Sequence, residues 1–163
     1  MIASELVTPD AVNFMAKEAR GLICISLTED RAFELKLPPM ERQNTSLHTT
    51  AFTVSVDAVK NTTTGTSSYD RFETIRTLMA PDALPDDLAR PGHIFPIVGK
   101  EGGVLRRAGH TEASMDLARM AGLHPSGVIC EIMAQDGTMA RVGQLEKFAR
   151  KHLSLIHISE PTR

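Results

Sequence analysis

The sequence has 163 residues, 42% hydrophobic and 23% charged, with a net charge of −2. That is one domain's worth of chain, long enough to bury a core without cross-links. The charge balance, the absence of Trp and the single Tyr argue against the basic, aromatic-bearing surface of a nucleic-acid binder.

No apolar run approaches the ~18 residues of a membrane helix, and no basic-then-apolar leader opens the chain. Cys24 and Cys130 are the only cysteines. Both lie in apolar runs without CxxC spacing and read as buried thiols. The expected setting is the cytoplasm, with no membrane and no nucleic acid as partner.

Thr8-Pro9-Asp10 is a helix start, with Thr as cap and Pro in the first turn. Val12, Met15, Ala16 and Ala19 follow at helical spacing, and Gly21 is the expected stop. Residues 22–27 form a near-continuous apolar strand, covered on both faces. A short helix is predicted over 29–35, ended by Pro38-Pro39. Residues 41–50 are a polar loop, and Phe52-Thr53-Val54-Ser55-Val56 alternates as a half-buried strand does.

The Thr/Ser/Gly run around Gly65 is a hydroxyl-rich loop with exposed N–H groups that could cradle phosphate. Asp70-Arg71 open a helix with Phe72, Ile75, Leu78 and Met79 on one face. A short strand is predicted over 92–98 and a helix over 111–121 with Ala113, Leu117, Met120 and Ala121 inward. A strand over 128–133, a turn at Asp136-Gly137 and a last helix marked by Leu145, Phe148 and Ala149 complete the pattern. This alternation predicts an α/β fold, a mixed sheet flanked by helices on both faces in α/β/α layers.

Chemistry concentrates in Arg106-Arg107-Ala108-Gly109-His110-Thr111-Glu112-Ala113. Arg offers a forked donor to phosphate or carboxylate. A small-residue turn lets the backbone approach, and a helix start adds free N–H groups. His110 can serve a metal or a proton. The same pattern also suits a basic turn that caps a helix.

Glu131 stands in an otherwise apolar strand, a costly place for a carboxylate unless it is used or faces outward on an edge. His93 follows Arg90-Pro91-Gly92 and could shuttle protons. The sequence contains no Walker motif, no G-x-G-x-x-G, no Gly-x-Ser-x-Gly and no H-x-x-x-H.

Several segments carry a resemblance when taken in order. They are Ala19-Arg20-Gly21-Leu22-Ile23-Cys24, Asn44-Thr45, Phe52-Thr53-Val54-Ser55-Val56-Asp57-Ala58 and Thr63-Thr64-Gly65 with Asp70-Arg71. Arg90-Pro91-Gly92-His93-Ile94-Phe95-Pro96, Gly109-His110-Thr111-Glu112-Ala113, Cys130-Glu131 and Asp136-Gly137-Thr138-Met139-Ala140 follow. Over residues 3–153 the chain resembles the 3,4-dihydroxy-2-butanone 4-phosphate synthase family of riboflavin biosynthesis.

The resemblance implies a lyase that converts D-ribulose 5-phosphate to 3,4-dihydroxy-2-butanone 4-phosphate and formate. It implies Mg2+ or Mn2+ as cofactor and a homodimer with its sites at the interface. Carried over by position, His110 is a metal ligand, and Arg107, Ala108, Gly109, His110, Thr111, Glu131 and Thr45 bind the sugar phosphate. His93 and Glu131 are catalytic. Ala108 replaces the family's commoner Gly. The alternatives are another divalent-metal sugar-phosphate lyase or isomerase, or a catalytically silent phosphate-binding module.

The resemblance also implies an acidic segment, Arg-Glu-Asn-Glu-Gly-Asp, that supplies a further metal ligand and an acid/base carboxylate; none occurs in this sequence. The expectation is a truncated synthase domain over 1–153, inactive alone, followed by a non-native tail over 154–163. Arg107, His110, Glu131 and the partner subunit's His93 are expected to share one polar cavity.

Overall fold

The computed structural model describes residues 1–152, so the expected non-native tail lies outside the described residues. Five strands form one mixed sheet: β1 (Ile2–Ala3), β2 (Arg20–Leu27), β3 (Val56–Ala58), β4 (Leu88–Val98) and β5 (Gly127–Ile132), in the order β1-β5-β2-β4-β3. β2 and β4 run parallel and the other pairs antiparallel. Five α-helices accompany them: α1 (Pro9–Phe14), α2 (Glu29–Glu34), α3 (Ser68–Met79), α4 (His110–Met120) and α5 (Val142–His152). Among the described residues, no helix is long and apolar enough to cross a membrane.

Strand side chains alternate between faces, and the two faces of β2 differ in what covers them. Ile23, Ile25 and Leu27 enter the main core with Val12 and Met15 from the first helical segment, Leu35, and Ile75 and Leu78 from α3. The opposite face carries Ser26, whose hydroxyl meets that of Ser114 on α4 at 2.8 Å. The expected helix–sheet–helix layering is therefore present.

The α4 layer is fastened by buried hydroxyls beside the apolar Met115 and Ala118. Ser126 Oγ donates to the Ser26 carbonyl at 2.6 Å and lies 2.7 Å from Ser4 Oγ. The Gly127 N–H donates to Ser26 Oγ, and Ser114 Oγ donates to the Thr111 carbonyl. Every polar atom of this seam has a partner, which makes burial of four serines tolerable.

This seam overturns the predicted inward face of α4. Leu117 is 53% and Met120 83% exposed, while Thr111, Glu112, Ser114, Met115 and Ala118 are buried. Apolar periodicity favoured the wrong phase because hydrogen bonding holds this helix to the sheet.

Three further departures have local causes. The first helical segment does not stop at Gly21. It widens into a π-helical turn over Met15–Ala19 and ends at Arg20 in the left-handed region, φ 67°. Gly21 is instead part of β2, where the register with β5 slips between Arg20 and Ile23.

The strand predicted over 52–56 survives only as isolated bridges, Pro39 with Thr53 and Phe52 with Ile97. Its backbone bonds are divided, with the Thr53 N–H on the Pro96 carbonyl and the Val54 N–H on the Pro38 carbonyl. The continuous strand begins at Val56. The strand predicted over 92–98 starts earlier, at Leu88, because β4 pairs with β3 on both sides of an excursion.

Candidate active site

That excursion builds the first half of the site. Val56 pairs with Ile94 and the next residue, Asp57, pairs with Ala89, so Arg90, Pro91, Gly92 and His93 are looped out of the ladder. The Arg90-Pro91 peptide is cis. The Gly92 N–H donates to Ser55 Oγ at 3.1 Å. The loop returns with the His93 N–H donating to Asp57 Oδ1 at 2.8 Å, while His93 Nδ1 stands 2.7 Å from Asp57 Oδ2.

An ionised carboxylate can only accept, so it selects the Nδ1–H tautomer. Nε2 is then left as the free, proton-accepting nitrogen. The His93 side chain is 46% exposed, which leaves that nitrogen accessible.

Glu131 stands on the neighbouring part of the sheet. β1 pairs with β5 only at Gly127 and Val128, so it does not reach Glu131, which is exposed. Solvent access removes the burial cost that made it conspicuous in the sequence. The slipped register leaves Gly21 against the Glu131 backbone, where any Cβ would collide with its carbonyl oxygen. Gly21 thus fixes the height of Glu131 on the sheet.

Leu22, the next residue, is 48% exposed. Cys24, one turn of the pleat further in, is buried. Burial first, then Cys130 and Glu131, push its thiol up to about 12, which keeps it an unreactive thiol at neutral pH. The sequence reading has both cysteines buried; Cys130 is only half-buried.

The second half of the site is the start of α4. Arg107 Nη1 donates to Glu112 Oε2 at 2.8 Å, and Glu112 Oε1 accepts the Lys100 N–H at 3.0 Å. Glu112 is 1% and Arg107 29% exposed as side chains. Burial acts to raise the Glu112 pKa, but the Lys100 N–H and the Arg107 guanidinium outweigh it and hold the carboxyl below its usual value.

Gly109 caps α4 in extended conformation. A Cβ there would meet the Arg107 guanidinium and Glu112 Oε2, so the pair passes directly over it. One nitrogen of Arg107 is tied to Glu112 at the start of an 11-residue helix. His110, the first helical residue, is exposed, and Thr111 is buried beneath it. Ala108 is exposed on the turn.

Among the described residues, no hydrogen bond or ion pair links the Arg107 group to His93 or Glu131. Thr45 is exposed in the polar loop. The phosphate cradle expected around Gly65 is already filled from within the chain. Asp70 takes the Thr63 N–H, the Thr63 hydroxyl and the Gly65 N–H. Sequence reasoning missed Asp57, which holds His93; it marked Asp70 together with the Thr/Ser loop, but not as the residue that fills that loop.

A cavity of about 250 Å³ lies behind Glu112, lined by Lys100, Gly103, Met115, Asp116 and Arg119 among others, and contains neither His93, His110 nor Glu131.

A hard divalent cation needs several oxygen donors. No group of three or more His, Cys, Asp or Glu among the described residues is placed to hold one. His110 is open, but the neighbouring Glu112 carboxylate is occupied by Lys100 and Arg107. These residues do not by themselves fit a Mg2+ or Mn2+ centre. Titration of the 163-residue chain with Mg2+ by calorimetry is therefore expected to give a Kd weaker than about 1 mM; a tighter single site would contradict the donor count.

A family model described as 3,4-dihydroxy-2-butanone 4-phosphate synthase matches residues 1–160. The riboflavin biosynthesis protein RibBA of Aquifex aeolicus is 58% identical over 163 residues, covering 98% of this chain and 40% of that protein. The 3,4-dihydroxy-2-butanone 4-phosphate synthase of Syntrophotalea carbinolica is 50% identical over 158 residues, covering 96% and 73%.

Among solved structures, the two-domain synthase RibBX of A. baumannii aligns with a TM-score of 0.88 at 49% identity, covering 93% of this chain and 45% of that one. A synthase crystallised in complex with two magnesium ions aligns at 0.86 and 43% identity, covering 93% and 76%. The chain thus spans 40% of the length of the RibBA relatives from Aquifex aeolicus and Cytophaga hutchinsonii.

Proposed function

We propose, from the premise that this chain belongs to the 3,4-dihydroxy-2-butanone 4-phosphate synthase family, that it carries residues for converting D-ribulose 5-phosphate to 3,4-dihydroxy-2-butanone 4-phosphate and formate. The two products together contain all the atoms of the substrate. The reaction therefore needs protons moved and carbon bonds rearranged, but no oxidant or reductant.

The observation that carries the reading is Arg107. Its guanidinium is half engaged by a buried carboxylate and half free at the start of α4. A phosphate bound there is gripped at a point remote from the reacting carbons, and that grip orients the sugar. Thr111 and the backbone of Ala108 and Gly109 complete the anchor. His93, held as the Nδ1–H tautomer, takes and returns protons at Nε2, and the solvated Glu131 carboxylate serves as the second proton carrier.

Mg2+ or Mn2+ is the cofactor we infer for the family reaction, with His110 as this chain's contribution. A homodimer is the natural way to bring His93 and the Arg107 segment into one cavity, since they are not joined within one chain. The exposed Leu22 suits such a contact. A reducing cytoplasm suits the two free thiols.

The test is formate release from ribulose 5-phosphate with Mg2+. It is run with the 163-residue chain and with a chimera carrying the acidic segment of the Aquifex aeolicus relative. Formate from the chimera, with little from the chain alone, is expected. A chimera that binds the sugar phosphate and releases no formate would instead favour the silent phosphate-binding module, the reading that the missing cluster of metal donors supports. A different product would favour the other lyase or isomerase.

A further inference from the structure

Asp70 has no part in the site described above, yet it organises what lies against it. It is 4% exposed, in the first turn of α3. Oδ1 accepts the Thr63 N–H at 3.1 Å, and Oδ2 accepts the Thr63 hydroxyl at 2.8 Å and the Gly65 N–H at 3.1 Å. Its own N–H is capped by Ser67 Oγ at 3.0 Å. Three hydrogen bonds to the carboxylate and one from the backbone N–H thus draw residues 63–67 around Asp70.

The crown of that loop is Gly65, at φ +85°. A Cβ on it would strike Asp57 Oδ2 and lie 2.6 Å from His93 Nδ1. The loop backbone is therefore packed directly on the Asp57–His93 pair, at the side opposite the open Nε2.

We propose that Asp70 is a positioning residue for His93, acting through the loop it clamps. By fixing Gly65 against Asp57 and the imidazole, it holds the ring in the one orientation in which Nδ1–H points to Asp57 and Nε2 points outward. The kinetic half of this inference rests on the functional reading above; the geometric half does not.

The Asp70 carboxyl behaves as this requires. The Thr63 hydroxyl, against the opposing effect of burial, and then the Thr63 N–H, the Ser67 hydroxyl and the Gly65 N–H hold its pKa below the usual value. Both of its oxygens accept from the loop. Without the clamp, Gly65 is free to lift, and the imidazole can turn and sample the other tautomer.

The experiment reads the ring directly. Long-range 15N–1H spectra of the histidine-labelled 163-residue chain, with His93 assigned by loss of its signals in H93Q, report which ring nitrogen carries the proton. The wild type should show His93 almost wholly as the Nδ1–H form. Asp70→Asn, Gly65→Ala and the milder Thr63→Val should each give a mixture, with Thr63→Val the least affected.

In the formate-releasing form the same variants should lose kcat, by about 10²-fold for Asp70→Asn and Gly65→Ala, with KM within threefold. A purely structural role would lower the melting temperature and leave the tautomer unchanged. Folded variants with a wild-type ring spectrum therefore overturn the proposal. If Asp70→Asn does not fold, Thr63→Val and Gly65→Ala decide by the same criterion. If no form of the protein releases formate, the functional reading fails while the spectra still decide the positioning role.

Discussion

Replacing Arg107 by Ala should cost about 3–5 kcal/mol of stability as well as most of the affinity for a sugar phosphate. The reason for the first loss is Glu112. Its side chain is 1% exposed, and one of its oxygens accepts from the Arg107 guanidinium at 2.8 Å. Removing the cation leaves a charged carboxylate in the interior with only backbone N–H groups, that of Lys100 first, as partners. Breaking a buried pair from one side is far more destructive than removing both partners.

The double variant Arg107→Ala with Glu112→Gln should accordingly recover most of the stability while still binding ribulose 5-phosphate at least about 10²-fold more weakly. Urea unfolding and calorimetric binding separate the two roles. A single variant within about 1 kcal/mol of wild type would show the pair to be solvent-screened after all.

The pH dependence follows from the sign of the Glu112 shift. Its folded pKa is depressed, so in the wild type its contribution is present above the ordinary carboxylate value, about 4.3. It is lost as pH falls through the lower, folded value. In Arg107→Ala the carboxylate has lost its only compensating charge and keeps only backbone N–H donors. Protonation then relieves a penalty, and the deficit against wild type should shrink toward acid pH.

The parts of the molecule legible in the sequence are those in which local chemistry and tertiary packing agree. The Thr8 and Thr28 caps, the apolar strand over 22–27, the Ile75 and Leu78 face of α3 and the Asp136-Gly137 turn all follow their local patterns. The misses occur where a distant hydrogen bond outranks the local pattern. The α4 helix turns Ser114 inward because Ser26 awaits it 88 residues away. The loop around Gly65 looked free to bind phosphate because nothing local showed that Asp70 would fold back into it.

The site divides in the same way. Arg107, Gly109 and His110 were readable because a small-residue turn before a helix start has a meaning on its own. Asp57 was not, because its importance depends on an excursion in β4 that no periodicity records. Glu131 was noticed for a burial cost it does not bear, since the strand beside it ends too early to cover it.

That excursion makes Gly92→Ala the second substitution with a large expected effect. Gly92 lies so close to β3 that a Cβ would fall on the Val56 carbonyl and the Asp57 nitrogen. These are backbone atoms in a paired strand, so no side chain can swing aside. Relief requires β3 and the looped-out segment of β4 to part, which breaks the Gly92 bond to Ser55 Oγ and withdraws the His93 N–H from Asp57.

Strain of this kind, with lost hydrogen bonds, belongs to the destabilising tail of about 4 kcal/mol or more. A shift of the melting temperature by roughly 10 °C or more should accompany it in a domain of this size. Ser55→Ala removes one of those bonds without the collision and should cost only about 1 kcal/mol. A Gly92→Ala protein as stable as Ser55→Ala would mean that β3 and β4 can separate freely, and that the seat of His93 is far softer than these contacts require.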